Sequence, residues 1–179
     1  GGYGFPESHS ASFALLAYVS AWLKCHYPAA FYVGLLNSQP MGFYTPSQLI
    51  QDAQRHGVTV LPADVNYSEW NHQLLSHTDQ GQPPIRLGLR LIKGLSRHAG
   101  HRIADSQRQM PFKNISDLRR RAQIDKGDME VLASADALKS LSGHRHQSQW
   151  QVMALQTPSP LLQDTPYENR PEGLSDHIE

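Results

Sequence analysis

The stretch LRLIKGLSRHAGHRIADSQR, residues 89–108, contains two helical patterns separated by a turn that contains glycine. The apolar positions that follow helical spacing are Leu89, Ile92, Ala99 and Ile103. The interruption at Gly94 lies in the middle of a stretch that carries five lysine and arginine residues. A helix that ends at Lys93 and a second helix that begins near Arg97 would together form a helix-hairpin-helix motif.

A hairpin of this kind has the chemistry of a phosphate-binding site. The backbone N–H groups of the turn and of the next helix's N-terminus point at one phosphate oxygen. Glycine is favoured at Gly94 because a side chain would block close approach and resist the backbone angles of the turn. Leu95 is predicted to point inward and anchor the hairpin. Such contacts hold a duplex without reading its bases. The predicted DNA-binding residues are Lys93, Gly94, Leu95, Ser96, Arg97 and Arg102.

Ser96 departs from the usual hairpin pattern, in which a hydrophobic residue lies between two glycines. Serine still offers its N–H and a hydroxyl group, but it tolerates a positive φ poorly. An alternative therefore stays open, in which Gly94 is only a helix C-cap in a hairpin that serves packing.

Positive charge is concentrated around the same turn. Residues 86–126 contain eleven basic and three acidic side chains, although the whole chain has a formal net charge of zero. The flanking segments are acidic, with net charges of −3 for residues 1–85, −1 for 127–155 and −4 for 156–179. A segment of +8 between acidic neighbours indicates a phosphate-binding surface. The alternative reading is a solvated helical face.

Outside this stretch, the sequence predicts a mainly α chain with one small β element. Helical spacing runs over residues 10–36 with a break at Pro28, and a further helix begins at Thr45 and ends before Gly57. The segments EWNHQLL and IRLGL, on either side of a polar stretch, are typical of the arms of a β-hairpin. The other predicted helices cover residues 88–93, 97–108, 115–122, 125–134 and 143–155.

Three further predictions concern a repeat, two tryptophans and the C-terminal segment. Residues 115–135 echo the helix-turn-helix shape of residues 89–108. Trp22 and Trp70 are predicted to be core anchors rather than platforms on which bases stack. Residues 156–179 contain prolines and acidic side chains, which is typical of a linker or a disordered tail.

Metal binding, disulfides and membrane insertion are not predicted. The single cysteine, Cys25, excludes an internal disulfide and a cysteine-based zinc site. The histidine pairs at 98 and 101 and at 144 and 146 have no third ligand nearby in the sequence. Neither a leader segment nor a membrane span is predicted, so we expect a cytoplasmic protein with no membrane partner.

Four segments occur in an order that resembles bacterial C-family DNA polymerases, the DNA polymerase III alpha-subunit family. They are YGFPESHS at residues 3–10, AWLKCHYP at 21–28, VLPADVN at 60–66 and LGLRLIKGLS at 87–96. The variants FPESHSASFALL and LLNSQPMGFY are more similar to the error-prone, damage-inducible branch of that family than to its main replicase. The resemblance covers the chain from Gly1 to about Leu155.

The resemblance implies a place for this chain in a larger enzyme. Residues 1–85 would be the C-terminal part of a fingers domain, residues 86–155 a helix-hairpin-helix DNA-binding module, and residues 156–179 a linker or tail. Tyr3 and His9 would lie near the incoming nucleotide. The hairpin would hold duplex product, and the parent would carry out error-prone synthesis across DNA damage.

The same resemblance implies cofactors and partners for the parent enzyme. The parent would transfer a deoxynucleotidyl group from a dNTP to a primer with Mg²⁺, and it would contact a sliding clamp and mutagenesis accessory proteins. No pair of metal-binding carboxylates is apparent in residues 1–155. We therefore predict that this chain has no catalytic residue and is inactive alone. The alternative function is a stand-alone DNA-binding module or protein-interaction scaffold.

Overall fold

The computed structural model describes residues 7–76 and 81–142, and these form a mainly α fold with a small sheet. The helices are α1 (Glu7–His26), α2 (Pro28–Asn37), α3 (Pro46–Arg55), α4 (Arg97–Gln109), α5 (Ile115–Arg121), α6 (Lys126–Ser134) and α7 (Lys139–Ser142), with a 3-10 turn at Leu89–Leu91. The strands are β1 (Val60–Leu61), β2 (Gln73–Leu74) and β3 (Ile85–Arg86). The predicted fold class is confirmed. The helix predicted at 143–155 and the tail at 156–179 lie outside the described residues.

The β element contains the predicted hairpin and one further strand. The central strand β3 pairs antiparallel with β2, as the two arms predicted, and parallel with β1. The third strand, β1, lies in VTVLPADVN, residues 58–66, whose β-branched residues around a proline predict a short strand or an extended segment. So short a segment does not reveal its pairing partner.

Local capping chemistry sets several helix ends where the sequence predicted them. Thr45 and Gln48 form a capping box at the start of α3, with Pro46 in the first turn. Gly57 follows the helix with a φ of +76°, a conformation that glycine adopts without strain. Asp125 caps α6 by accepting the N–H of Asp128.

Helix α1 differs from the prediction, because none of its residues is buried. Trp22 is 42% exposed and stacks on His26, so its assignment as a core anchor is wrong. The helix contacts α2 near its C-terminal end, and its apolar residues face solvent along most of its length. They include Phe13, Leu15, Leu16, Tyr18 and Val19. Apolar spacing alone could not show whether a partner surface lies within this chain.

Two hydrophobic clusters form the core. The first joins α2, α3 and the sheet, and its buried members are Ala29, Tyr32, Leu36, Leu49, Ala53, Val58, Ile85 and Leu87. The second joins the 3-10 turn to the helices that follow, with fully buried Leu89, Ile103, Leu118, Leu132 and Leu138 among its members. The second cluster holds the basic helices in fixed positions relative to one another.

The loop between β1 and β2 ties this second cluster together. Asp64 is buried and accepts hydrogen bonds from the backbone N–H and the hydroxyl of Ser140. Asn66 exchanges two hydrogen bonds with the backbone of Phe112. Trp70 packs against the cluster as predicted, and it lies directly against Gly100 of α4, where an added Cβ would be 2.3 Å from the indole ring.

His72 makes the stability of this fold depend on pH. The side chain is 5% exposed, and its Nδ1 accepts the N–H of Gly88 at 3.1 Å. Burial, assisted by the nearby charge of Arg90, lowers the pKa of His72 to about 4 from its ordinary value of 6.5. Between pH 6.5 and pH 4, His72 is protonated in the unfolded chain but neutral in the folded chain. The free energy of unfolding therefore falls as pH decreases through that window.

Because of His72, we expect the free energy of unfolding to fall by on the order of 3 kcal/mol from pH 6.5 to pH 4, at about 1.4 kcal/mol per pKa unit. Urea unfolding at several pH values, with wild type and His72→Gln, measures this contribution. The variant should be less stable than wild type at pH 8, and the gap should narrow toward pH 4. Parallel pH profiles for the two proteins would show that His72 does not titrate in this way.

Candidate nucleic-acid interface

The first hairpin connects the 3-10 turn to α4 through residues 92–96. Gly94 has a φ of +92°, so the residue at this position is held in a conformation that favours glycine. Leu95 is only 7% exposed and lies in the second core cluster, as the sequence predicted. The side chains of Lys93 and Arg97, on either side of this turn, are exposed.

Ser96 has a role that a second glycine could not fill. Its φ is −69°, so the concern about positive φ does not apply to this position. It is the N-cap of α4, and its hydroxyl accepts the N–H of Ala99 at 3.1 Å. The departure from the usual pattern therefore supports the helix that follows the turn.

A second hairpin joins α5 to α6 and repeats the chemistry of the first. Gln123 has a φ of +52° at the position that matches Gly94. Ile124 is 4% exposed and matches Leu95, and Asp125 is the N-cap of α6 as Ser96 is of α4. The echo seen in residues 115–135 is thus a tandem hairpin. The sequence signal of each hairpin is an aliphatic residue followed directly by a capping residue, Leu95-Ser96 in the first and Ile124-Asp125 in the second.

The second helix of each hairpin, α4 or α6, supports the turn of the other hairpin. Arg102 of α4 donates from Nε to the carbonyl of Ala122 at 2.9 Å and from Nη2 to the carbonyl of Gln123 at 3.2 Å. Val131, which occupies the matching position in α6, lies against Gly94, where an added Cβ would be 3.3 Å from its Cγ2. The two turns are therefore fixed relative to each other.

Several arginines of the basic segment are bound to other parts of the chain. Arg90 donates to the carbonyls of Asn37 and Gln39, at 2.9 Å in each case. Arg108 forms a two-bond ion pair with Glu69. These guanidinium groups join distant parts of the chain, so the net charge of +8 overstates the charge that is available to a ligand.

Arg121 fastens the C-terminal end of α5 in the same way. Its Nη2 donates to the carbonyls of Ser106 and Met110, and its guanidinium lies 4.8 Å from the ring of Phe112. Its Nη1 is paired with Asp117. The pKa of Asp117 is lowered, first by the N–H of Lys113 and then by Arg120 and Arg121.

Exposed cations near the two turns include Lys93, Arg97 and Lys126. Arg97 and Lys126 occupy the same position in their hairpins, directly after the N-cap, and sequence reasoning missed Lys126. Lys93 lies in a shallow groove of about 490 Å³ whose lining also includes Gly127 and Glu130. Cations at the start of both helices give the tandem hairpin a positively charged surface beside its turn N–H groups. Such a surface is suited to phosphates.

The residues predicted to lie near a nucleotide are far from this interface in sequence. Tyr3 lies outside the described residues. His9 is exposed in the first turns of α1, with its ring centroid 4.9 Å from that of Phe13 in an edge-to-face arrangement. The proximity of Tyr3 and His9 to a nucleotide therefore stays a prediction.

A polar cluster joins the other end of α1 to α3. The hydroxyl of Tyr32 donates to Asp52 Oδ2 at 2.5 Å, and Lys24 Nζ lies 3.1 Å from the same oxygen. Burial, followed by the bond to Asp52, raises the pKa of Tyr32, and the bonds from Tyr32 and Lys24 lower the pKa of Asp52. Fifteen residues of helix, about 22 Å at 1.5 Å per residue, separate Lys24 from His9. This cluster therefore lies at the opposite end of α1 from His9.

Neither a metal site nor a membrane span is found within residues 7–76 and 81–142. No three histidine, cysteine or acidic side chains in these ranges lie close enough together to hold a metal ion. The helices in the same ranges are too short or too polar to cross a membrane.

Comparison with known proteins relates the chain to two descriptions. Residues 57–148 match the helix-hairpin-helix motif family. The chain is 55% identical to the error-prone DNA polymerase of Methylococcus capsulatus over 178 residues, which cover 90% of this chain and 17% of that relative. It is 56% identical to the error-prone DNA polymerase of Teredinibacter turnerae, with 93% of this chain and 16% of the relative covered. It is 58% identical to the error-prone DNA polymerase of Saccharophagus degradans, with 90% of this chain and 16% of the relative covered. The chain thus spans 16–17% of the length of these curated relatives.

Proposed function

Because this chain belongs to the helix-hairpin-helix family through residues 57–148, we propose that it is the duplex-binding part of a longer error-prone DNA polymerase. The observation that carries this proposal is the tandem hairpin, with two turns held in fixed relation and an exposed cation after each N-cap. Two such turns can contact phosphates of a duplex without reading base sequence.

The exposed apolar surface of α1 supports a place in a longer protein. A helix that is apolar around its whole circumference is stable in water only when a larger structure covers it. Phe13 is 61% exposed and Leu16 is 64% exposed in this chain. The remaining part of a polymerase, about five-sixths of the length of the relatives, would supply the cover. A stand-alone DNA-binding module would leave this surface in water, whereas a protein-interaction scaffold would need a partner to cover it.

The nucleotide chemistry of the parent is part of the proposal. Tyr3 and His9 would contact the incoming dNTP, and Mg²⁺ would be held by carboxylates elsewhere in the parent. The described residues offer no carboxylate cluster that fits Mg²⁺, so this chain is proposed to be inactive alone. Synthesis across damaged DNA, clamp and accessory-protein contacts, and a cytoplasmic location are likewise proposed for the parent.

Fluorescence anisotropy with labelled oligonucleotides tests the duplex-binding proposal. We expect a Kd on the order of 10⁻⁴ to 10⁻⁶ M at physiological salt, similar for unrelated duplexes and weaker for single strands. With roughly three phosphates neutralised by Lys93, Arg97 and Lys126, the slope of log affinity against log salt should be near −3.

A glycine pair provides the matched control. Gly94→Ala places a Cβ at positive φ in the hairpin, and Gly42→Ala does so in an exposed loop where φ is +83° and no atom lies within 4 Å. Both should lose stability by about 1 kcal/mol from backbone strain. Only Gly94→Ala should also lose duplex affinity, by about fivefold to tenfold. Equal affinity of the two folded variants would mean that the hairpin serves packing alone.

A further inference from the structure

The carboxylate of Asp128 lies at the N-terminus of α4. Asp128 belongs to the first turn of α6 and is only 8% exposed. Its Oδ1 accepts the backbone N–H of Ser96 at 3.2 Å, and its Oδ2 lies 3.5 Å from the hydroxyl of Ser96. The backbone N–H of Asp128 donates to Asp125 Oδ1 at 2.8 Å, which fixes the backbone from which the Asp128 side chain extends.

The position of this carboxylate is the position that an external anion would take. Backbone N–H groups and the helix dipole make the N-terminus of a helix favourable for negative charge. The N–H of Ser96 is also one of the donors that a phosphate-binding hairpin presents to its ligand. A phosphate that approaches this turn therefore meets a donor already in use and a negative charge beside it.

The second hairpin does not have this internal anion. The residue of α4 that matches Asp128 is Ala99, the third residue of its helix, and a methyl group offers no hydrogen-bond acceptor. The two hairpins thus share their turn geometry but differ in the group that faces each turn from the opposite helix.

We propose that Asp128 is an internal competitor for DNA phosphate at the first hairpin. The second hairpin then makes the firmer phosphate contact. At the first hairpin, Lys93, Arg97 and the turn at Gly94 still approach the duplex, but the N–H of Ser96 binds a phosphate only when the carboxylate is displaced or neutralised. This inference rests on the proposed duplex binding and concerns how strongly each hairpin contributes to it.

Asp128→Asn tests the inference with little structural change, because the asparagine oxygen can still accept the N–H of Ser96. We expect duplex affinity to rise about fivefold to tenfold at low salt. The salt slope should steepen by about 0.9 as one more phosphate is engaged. Asp136→Asn removes the same charge at an exposed position and is the control, with an expected change below about twofold and no change in slope.

Asp128→Ala reproduces the arrangement at Ala99, so it provides a second variant if the asparagine variant does not fold. It should bind duplex at least fivefold more tightly than wild type. If the folded Asp128 variant and Asp136→Asn bind alike while wild type binds duplex, the inference is wrong and the proposed function stands. If wild type and every folded variant fail to bind any duplex, the proposed function and the inference both fail.

Discussion

Gly88→Ala is expected to lower the free energy of unfolding by at least about 3 kcal/mol, which is a large fraction of the stability of an ordinary domain. An added Cβ would lie 2.4 Å from the carbonyl oxygen of Trp70 and from the carbonyl carbon of Asn71. Both are backbone atoms. They are held in place because the N–H of Leu89 donates to the backbone carbonyl of Glu69, and the N–H of Arg90 donates to the backbone carbonyl of Trp70. The chain cannot move aside without breaking this pairing.

Gly34→Ala is the control for this first prediction. Gly34 lies in α2 with no atom within 4 Å of an added Cβ, so alanine should be neutral or should stabilise by about 0.5–1 kcal/mol. Urea unfolding followed by circular dichroism measures both variants. A loss of less than about 1 kcal/mol in Gly88→Ala would show that the segments at residues 70 and 88 can separate easily.

Arg102→Ala and Arg97→Ala are expected to act through different physical effects, although each removes one positive charge. Arg102 donates two hydrogen bonds to the second turn, so its loss leaves the carbonyls of Ala122 and Gln123 without these donors. Charge-assisted hydrogen bonds contribute about 1.5–3 kcal/mol each, and we expect the variant to lose about 2–4 kcal/mol of stability. The second hairpin should lose its fixed geometry, with a fall in duplex affinity of about tenfold.

Arg97 is exposed, and its Nε lies 3.3 Å from His101 on the same helix. Its replacement by alanine should change stability by less than about 0.5 kcal/mol, because surface substitutions of this kind have small effects. It should flatten the salt slope of duplex binding by about 0.9. The pair of variants is compared by urea unfolding and by anisotropy at several salt concentrations. Equal stability of the two variants would contradict the supporting role of Arg102.

Arg102 also shows where the sequence prediction of the site stopped. Positive charge and closeness to the turn predict phosphate contacts for Lys93, Arg97 and Arg102 alike. The structure leaves Lys93 and Arg97 exposed and directs Arg102 to carbonyls twenty residues later in the chain. Helical spacing gives the direction of a side chain relative to its own helix, but it does not identify the backbone on the other side.

Tertiary structure also decided the exposure of α1 and the environment of the first hairpin. The apolar spacing around Phe13 was correct for a helix, but it could not show that no part of the described chain covers that helix. Asp128 gave no sign in the sequence that its carboxylate would bind Ser96, thirty-two residues earlier. Both facts depend on how separate helices pack against one another.

Features with local causes can be derived from the sequence alone. A glycine at positive φ, capping residues and the spacing of buried leucines and isoleucines fixed the hairpin and most helix boundaries, because each acts within a few residues of chain. The packing of distant elements determines which arginines stabilise the fold, which cations remain exposed, and which turn faces an internal carboxylate. A long charged side chain reaches several ångströms from its own helix, and what it meets there depends on elements that are distant in sequence.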